Sequence, residues 1–277
     1  MRKLFALALV GLVPAVAIRA ADEDKYVTIK GRIVWDDAKG PPPVRAVIKP
    51  TKDEEVCAKD KDFKTEDWVV SAKTKGIKNV VVWLSPEPDA AALAQIKAGK
   101  LRELVSFDKK DIHPAMAKPL KPSVEIDQPC CRFIPHVLAA QEGQDMIIKN
   151  SSSVPHNAKW SSGKNGDINP LMPAGGEFKI QAPLVADRFP INIECSIHPW
   201  MKAYVWVFSH PYFAVTDEDG NFEIKNAPVL GGKLRLMAWQ DNGFSNGKAG
   251  RFGQTIEVKP GKIDLKEVKF KVVETSK

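Results

Sequence analysis

Apolar and polar positions alternate in twos along much of this chain. Tyr26–Trp35 (YVTIKGRIVW) shows the pattern with many β-branched residues and reads as a half-buried strand. A Gly-Pro-Pro-Pro turn at 40–43 leads to a second short strand expected over 44–48. Residues 51–67 are charged and read as a loop, with Cys57 inside it. The run NVVVWL at 79–84 is apolar throughout, as in a strand covered on both faces. Residues 88–98 carry Leu93 and Ile96 three apart with Gly99 as a stop, which predicts one short helix. Three prolines and several lysines make 108–122 a linker. Strand patterns resume over 137–141, 145–149, 177–180, 189–194 and 203–208. Residues 213–224 contain Asp219-Gly220-Asn221, a tight-turn signal between two strands. Three more patterns, 234–239, 254–258 and 268–273, complete the series. Short strands, frequent turns and almost no helix define an all-β chain of one or two β-sandwiches.

Composition narrows this further. In 277 residues, 44% hydrophobic and 27% charged is a globular balance. The formal charge is +7, but Arg2, Lys3 and Arg19 sit in a leader of signal-peptide form. A basic head precedes an apolar run over 4–18, with cleavage expected after Ala17 or Ala20; a retained N-terminal anchor is the alternative. Without those three residues, 38 basic side chains face 34 acidic ones, a net +4. No long basic block marks a nucleic-acid surface, and no other segment approaches membrane-spanning length. The expected location is periplasmic or secreted, where disulfides persist.

The candidate chemistry is concentrated in Cys195-Ser-Ile-His198-Pro-Trp-Met201 and in Pro155-His156-Asn157. A short loop between two strands can turn Cys195, His198 and Met201 towards one point, and His156 supplies a second imidazole. Taken singly, a His is more often structural, a Met is usually core, and a Cys is a buried thiol or half of a disulfide. Together, two His, one Cys and a weak axial Met are the donor set of a blue-copper electron-transfer site holding one copper ion. Structural zinc is the poorer reading because thioether is a poor zinc ligand. A redox thiol pair lacks its Cys-x-x-Cys. Five histidines in all leave no material for a second copper cluster, so no enzymatic activity is expected. His113 and His210, each before a proline, read as structural or exposed.

Residues 143–208 resemble the cupredoxins, and within them the amicyanins, which share the compact Cys-x-x-His-Pro-x-Met loop and the Pro-His-Asn around the first ligand. Plastocyanins have a longer final spacer. The resemblance implies a cupredoxin Greek-key sandwich over about 121–208, with Asn157 hydrogen-bonded near Ser196 to tie the ligand segments together. Lys159 and Trp160 depart from the pattern without touching ligation. The flanks resemble a carboxypeptidase regulatory-like β-sandwich: residues 213–228 and 234–239 look like its second half and 26–48 like its opening. This gives a discontinuous domain, 25–100 plus 209–274, with the copper domain inserted; three consecutive small domains are the rival. The whole chain also resembles secreted bacterial proteins, planctomycete ones included, that carry a methylamine-utilisation label.

Three expectations remain. Cys57 is expected to pair with Cys131, which starts a strand-like segment, leaving Cys130 outside; a second metal site from Cys130, Cys131 and His136 is the alternative. His198 is expected nearest the surface, with Pro155, Pro199 and Trp200 as an apolar docking rim, unless Trp200 is core. The function expected is one-electron carriage to a redox protein such as a c-type cytochrome or a dehydrogenase. The alternative is a secreted copper-binding or structural module without such a partner.

Overall fold

The computed structural model describes residues 24–59, 63–101 and 104–273. The leader over 1–20 with its cleavage positions, and residue 274, lie outside these. Strands make up 40% of the chain and helix 11%, so the fold is all-β. Among the described residues no helix is long and apolar enough to cross a membrane.

Four sheets carry most of the structure. In the first, β1 (Tyr26–Trp35) lies between β14 (Asn221–Pro228), antiparallel, and β18 (Gly261–Phe270), parallel. In the second, β2 (Val81–Pro86) lies between β13 (Phe213–Val215) and β15 (Lys233–Gln240), and β15 also pairs with β16 (Gly243–Phe244) and β17 (Gln254–Glu257). The third holds β12 (Lys202–Phe208) between β11 (Ile191–Glu194) and β4 (Val137–Gln141). The fourth holds β5 (Asp145–Lys149) between β3 (Ser123–Ile126) and β10 (Glu177–Lys179). Two short ribbons complete the set: β6 (His156–Asn157) with β9 (Leu171–Met172), and β7 (Trp160–Ser162) with β8 (Gly166–Ile168).

The period of two assigns the faces. On β2, Val82 and Leu84 enter a core shared with Ile29 and Ile33 of β1, while Val81 enters a second core with Trp206, Phe208 and Trp239. On β12, Trp206 and Phe208 belong to that second core, while Ala203, Val205 and Val207 enter a third with Met146 and Ile148 of β5. Three cores are thus interleaved with the sheets. Trp83, Trp206 and Trp239 form the middle one, with ring centroids 4.9 Å (Trp83–Trp206) and 5.5 Å (Trp206–Trp239) apart.

Two expectations need correction, on residues 44–48 and 108–122. Residues 44–48 form no strand; only Val47 pairs, with Lys64, and Val44 and Val47 stand in solvent. Prolines on both sides remove donors, and the pairing is confined to the bridge with the 63–65 segment. The turn expected between two strands is present, with Gly220 N–H on the Asp217 carbonyl at 3.0 Å; it joins β13 and β14, which belong to different sheets. Gly220 (φ 77°) packs so closely on the Ile33 carbonyl and Gly76 that a Cβ would collide with both, which pins the crossing. Residues 108–122 are docked: Tyr212 Oη accepts from His113 N–H at 2.9 Å and donates to the Asp111 carbonyl at 3.0 Å. The 48–63 loop sends Ile48, Val56, Cys57 and Phe63 into the third core. The helix expected at 88–98 spans Ala90–Lys97, capped by Asp89, whose carboxylate accepts from Ala92 N–H at 2.7 Å.

His113 and His210 are both buried. His210 packs against Phe107, Phe208 and Tyr212, and its Nδ1 accepts from Tyr212 N–H at 3.1 Å. Burial pushes its pKa down to about 3. An unfolded His binds a proton near pH 6.5, so between 6.5 and 3 the unfolded state holds more protons, and stability is lost as the pH is lowered through this range. Between pH 6.5 and 4.5, His210 is expected to cost about 2 kcal/mol. Urea unfolding of wild type and His210→Gln across that range checks this; equal pH slopes would refute it.

Candidate metal centre

Strands β11 and β12 pair in register, Glu194 opposite Lys202, so residues 195–201 are the loop that closes this hairpin. Cys195 N–H donates to the Met201 carbonyl (3.3 Å) and Met201 N–H to the His198 carbonyl (2.9 Å), which folds the loop back on itself. Two bonds between the backbones of Lys159 and Glu194, 2.8 and 2.9 Å, draw the His156 segment against β11. The two sequence segments therefore meet.

At the meeting point His156 Nδ1 and His198 Nδ1 lie 2.8 Å apart, and Cys195 Sγ is 3.8 Å from His198 Nδ1. One donor atom from each of the three lies within 4.8 Å of the other two. Both imidazoles are fully buried, Cys195 and Met201 nearly so, and the latter two belong to the same core. Burial, with the charge of His198 behind it, lowers the His156 pKa to about 4. Burial also lowers that of His198, against the pull of Asp53. Both rings are neutral at pH 7, with lone pairs available. Two facing ring nitrogens need a proton or a cation between them, and His156 Nε2 has no hydrogen-bond partner. Two neutral imidazoles, a thiol and an adjacent thioether fit a single copper ion.

Asn157 links the two segments. Its Oδ1 accepts from Ser196 N–H (2.8 Å), Ile197 N–H (3.3 Å) and Cys195 Sγ (3.3 Å). Its Nδ2 donates to Asn169 Oδ1 at 2.6 Å and to Ser196 Oγ at 3.4 Å. These contacts hold the sulfur where the imidazoles converge.

The surroundings differ from expectation on one side. His198, expected nearest the surface, has no exposure at all. The 48–63 loop covers it: Asp53 Oδ2 lies 2.8 Å from His198 Nε2. Cys57 of the same loop is joined to Cys131, and their sulfurs lie within 4.8 Å of a His198 ring nitrogen. Trp200 is half-buried, its Nε1 donating to the Cys131 carbonyl at 3.1 Å and its ring 5.2 Å from His198. It therefore touches both the ligand ring and the backbone at the disulfide, and only Pro155 and Pro199 of the expected rim are exposed. The alternative cluster of Cys130, Cys131 and His136 is not assembled. Cys131 is in the disulfide, and His136 spends its nitrogens on the Lys202 carbonyl (3.0 Å) and Asp241 (3.2 Å). Asp53 escaped the sequence reading; its only signal was a place four residues before Cys57 in a charged loop.

No family model and no curated protein matches the chain. Among solved structures it is similar to an amicyanin variant in the Cu(I) state, at 17% identity and TM-score 0.28, over 37% of this chain and 90% of that one. It is also similar to a purple cupredoxin from Nitrosopumilus maritimus, at 23% identity and TM-score 0.27, over 31% of this chain and all of that one. At these values the side chains of the site, not the likeness, define the chemistry.

Proposed function

We propose that this chain is an exported type 1 copper protein that carries single electrons. The observation that carries the reading is the convergence of His156 Nδ1, His198 Nδ1 and Cys195 Sγ in a buried core. Copper bound there supplies a one-electron Cu(I)/Cu(II) couple. The protein's part is to keep both imidazoles neutral, hold the sulfur through Asn157 and exclude water. Met201, closing the loop, is the proposed weak axial donor. With four protein donors around one ion no position is left for a substrate, so catalysis is not proposed. A c-type cytochrome or a dehydrogenase is the proposed partner, meeting the face that bears Pro155 and Pro199. A discontinuous regulatory-like sandwich, 25–100 plus 209–274, with the copper domain between its halves, is the proposed architecture. Pairing of β1 with β14 and β18, and of β2 with β13 and β15, supports it.

The burial of His198 favours a second reading, a secreted copper-binding module in which the ligand edge is shielded from partners. Voltammetry and stopped-flow reduction by a c-type cytochrome separate the two. A reversible one-electron wave with rapid exchange is expected for the carrier. Firm copper retention with sluggish exchange would favour the module and overturn the carrier.

A further inference from the structure

His198 Nε2, on the side of the ring away from His156, faces a carboxylate from a residue 145 positions earlier. Asp53 stands in the left-handed region (φ 50°, ψ 40°), where a non-glycine residue persists only if its surroundings hold it. The surroundings do so. The Asp53 carbonyl accepts from Val56 and Cys57 N–H, both at 2.9 Å, and so opens the helical turn Glu54–Cys57. Cys57 is fastened to Cys131, whose carbonyl holds the Trp200 indole against His198. Ile48 and Val56 pack on the same core. The carboxylate is thus delivered from a fixed base, and its own side chain remains partly open to solvent.

We infer that Asp53 is a positioning residue for His198: its carboxylate accepts a hydrogen bond from Nε2–H, fixes the tautomer and ring orientation, and leaves Nδ1 bare towards His156 and Cys195. The inference rests on the copper reading above. A carboxylate that accepts from the outer nitrogen of a ligating imidazole raises its basicity, and its loss typically weakens metal binding about 10- to 100-fold. The negative charge also favours Cu(II) over Cu(I), so the native side chain holds the reduction potential down.

The test uses two variants of the full chain. In Asp53→Ala the acceptor and the charge both go. In Asp53→Asn the amide oxygen can still accept from Nε2–H and only the charge goes. Nitrogen-15 NMR of histidine in the copper-free protein reads the tautomer without any metal. Wild type and Asp53→Asn are expected to hold His198 as the Nε2–H form, and Asp53→Ala to populate the Nδ1–H form. Copper competition titration is expected to show a loss of about 10- to 100-fold for Asp53→Ala and a smaller one for Asp53→Asn. The potential is expected to rise in both. An unchanged His198 tautomer together with unchanged copper affinity in Asp53→Ala would overturn the inference. A wild-type protein without a thiolate–copper band would instead defeat the copper reading, which the metal-free NMR keeps separate.

Discussion

Cys195→Ser is expected to abolish the intense visible absorption of the copper-loaded protein while leaving the fold in place. The band arises from charge transfer between a thiolate and Cu(II), and a serine hydroxyl is neither soft nor deprotonated at pH 7. The fold should survive because the exchange is nearly isosteric and serine keeps the polar contact that Cys195 Sγ makes with Asn157 Oδ1 at 3.3 Å. The hairpin loop is held by backbone bonds from residues 195 and 201, which the substitution does not touch. Circular dichroism and urea unfolding are therefore expected to be close to wild type. Residual copper would be held by His156 and His198 with only the weak Met201 donor, colourless and weak. Met201→Ala is the contrasting case: copper and colour persist and the potential shifts, because an axial thioether bond is long and weak. A blue band that survives Cys195→Ser would remove the sulfur from the site.

Removal of the Cys57–Cys131 bond is expected to cost about 4 kcal/mol of stability, the largest single effect proposed outside the ligands. The cysteines are 74 residues apart, and closing a loop of that length in the unfolded chain accounts for a loss of this size in the chain-entropy description. Cys57 and Cys131 are both fully buried, so the space left by one sulfur each adds a packing loss to the entropic one. The double variant Cys57→Ala/Cys131→Ala should give a lower urea midpoint with cooperativity retained. A loss below about 1 kcal/mol would mean that Ile48, Val56 and Phe63 alone hold the 48–63 loop in place. Because that loop carries Asp53, the same variant should also make copper exchange faster.

The ligand hairpin was legible because its donors lie within seven residues between two strand patterns, so local geometry alone brings them together. His156 and Asn157 were legible by motif, and the Lys159–Glu194 bridge supplies the register that no linear pattern displays. The cover over His198 was not legible. Asp53 and Cys57 sit in a charged, pattern-free loop, and what places them is a disulfide and three apolar side chains on a distant core. Nor could a six-residue apolar run say which cores it separates. Residues 79–84 read correctly as buried, but the division of Val81 from Val82 and Leu84 between two cores depends on which sheets stack on either face. The turn at 219–221 was legible as a turn between two strands, but the partners of those strands were not. Its residues specify a reversal of the chain, while the choice of partner strand is made by the close approach of Gly220 to Gly76 and Ile33.

The central claim is that His156, Cys195, His198 and Met201 together bind one copper ion in a thiolate-bearing site. Its most direct test is titration of the purified, metal-free protein with Cu(II), followed by visible absorption and electron paramagnetic resonance. The account predicts saturation at one copper per chain, an intense thiolate charge-transfer band that grows in proportion, and loss of colour on one-electron reduction. Saturation without such a band, or binding that Cys195→Ser leaves unchanged, would contradict it.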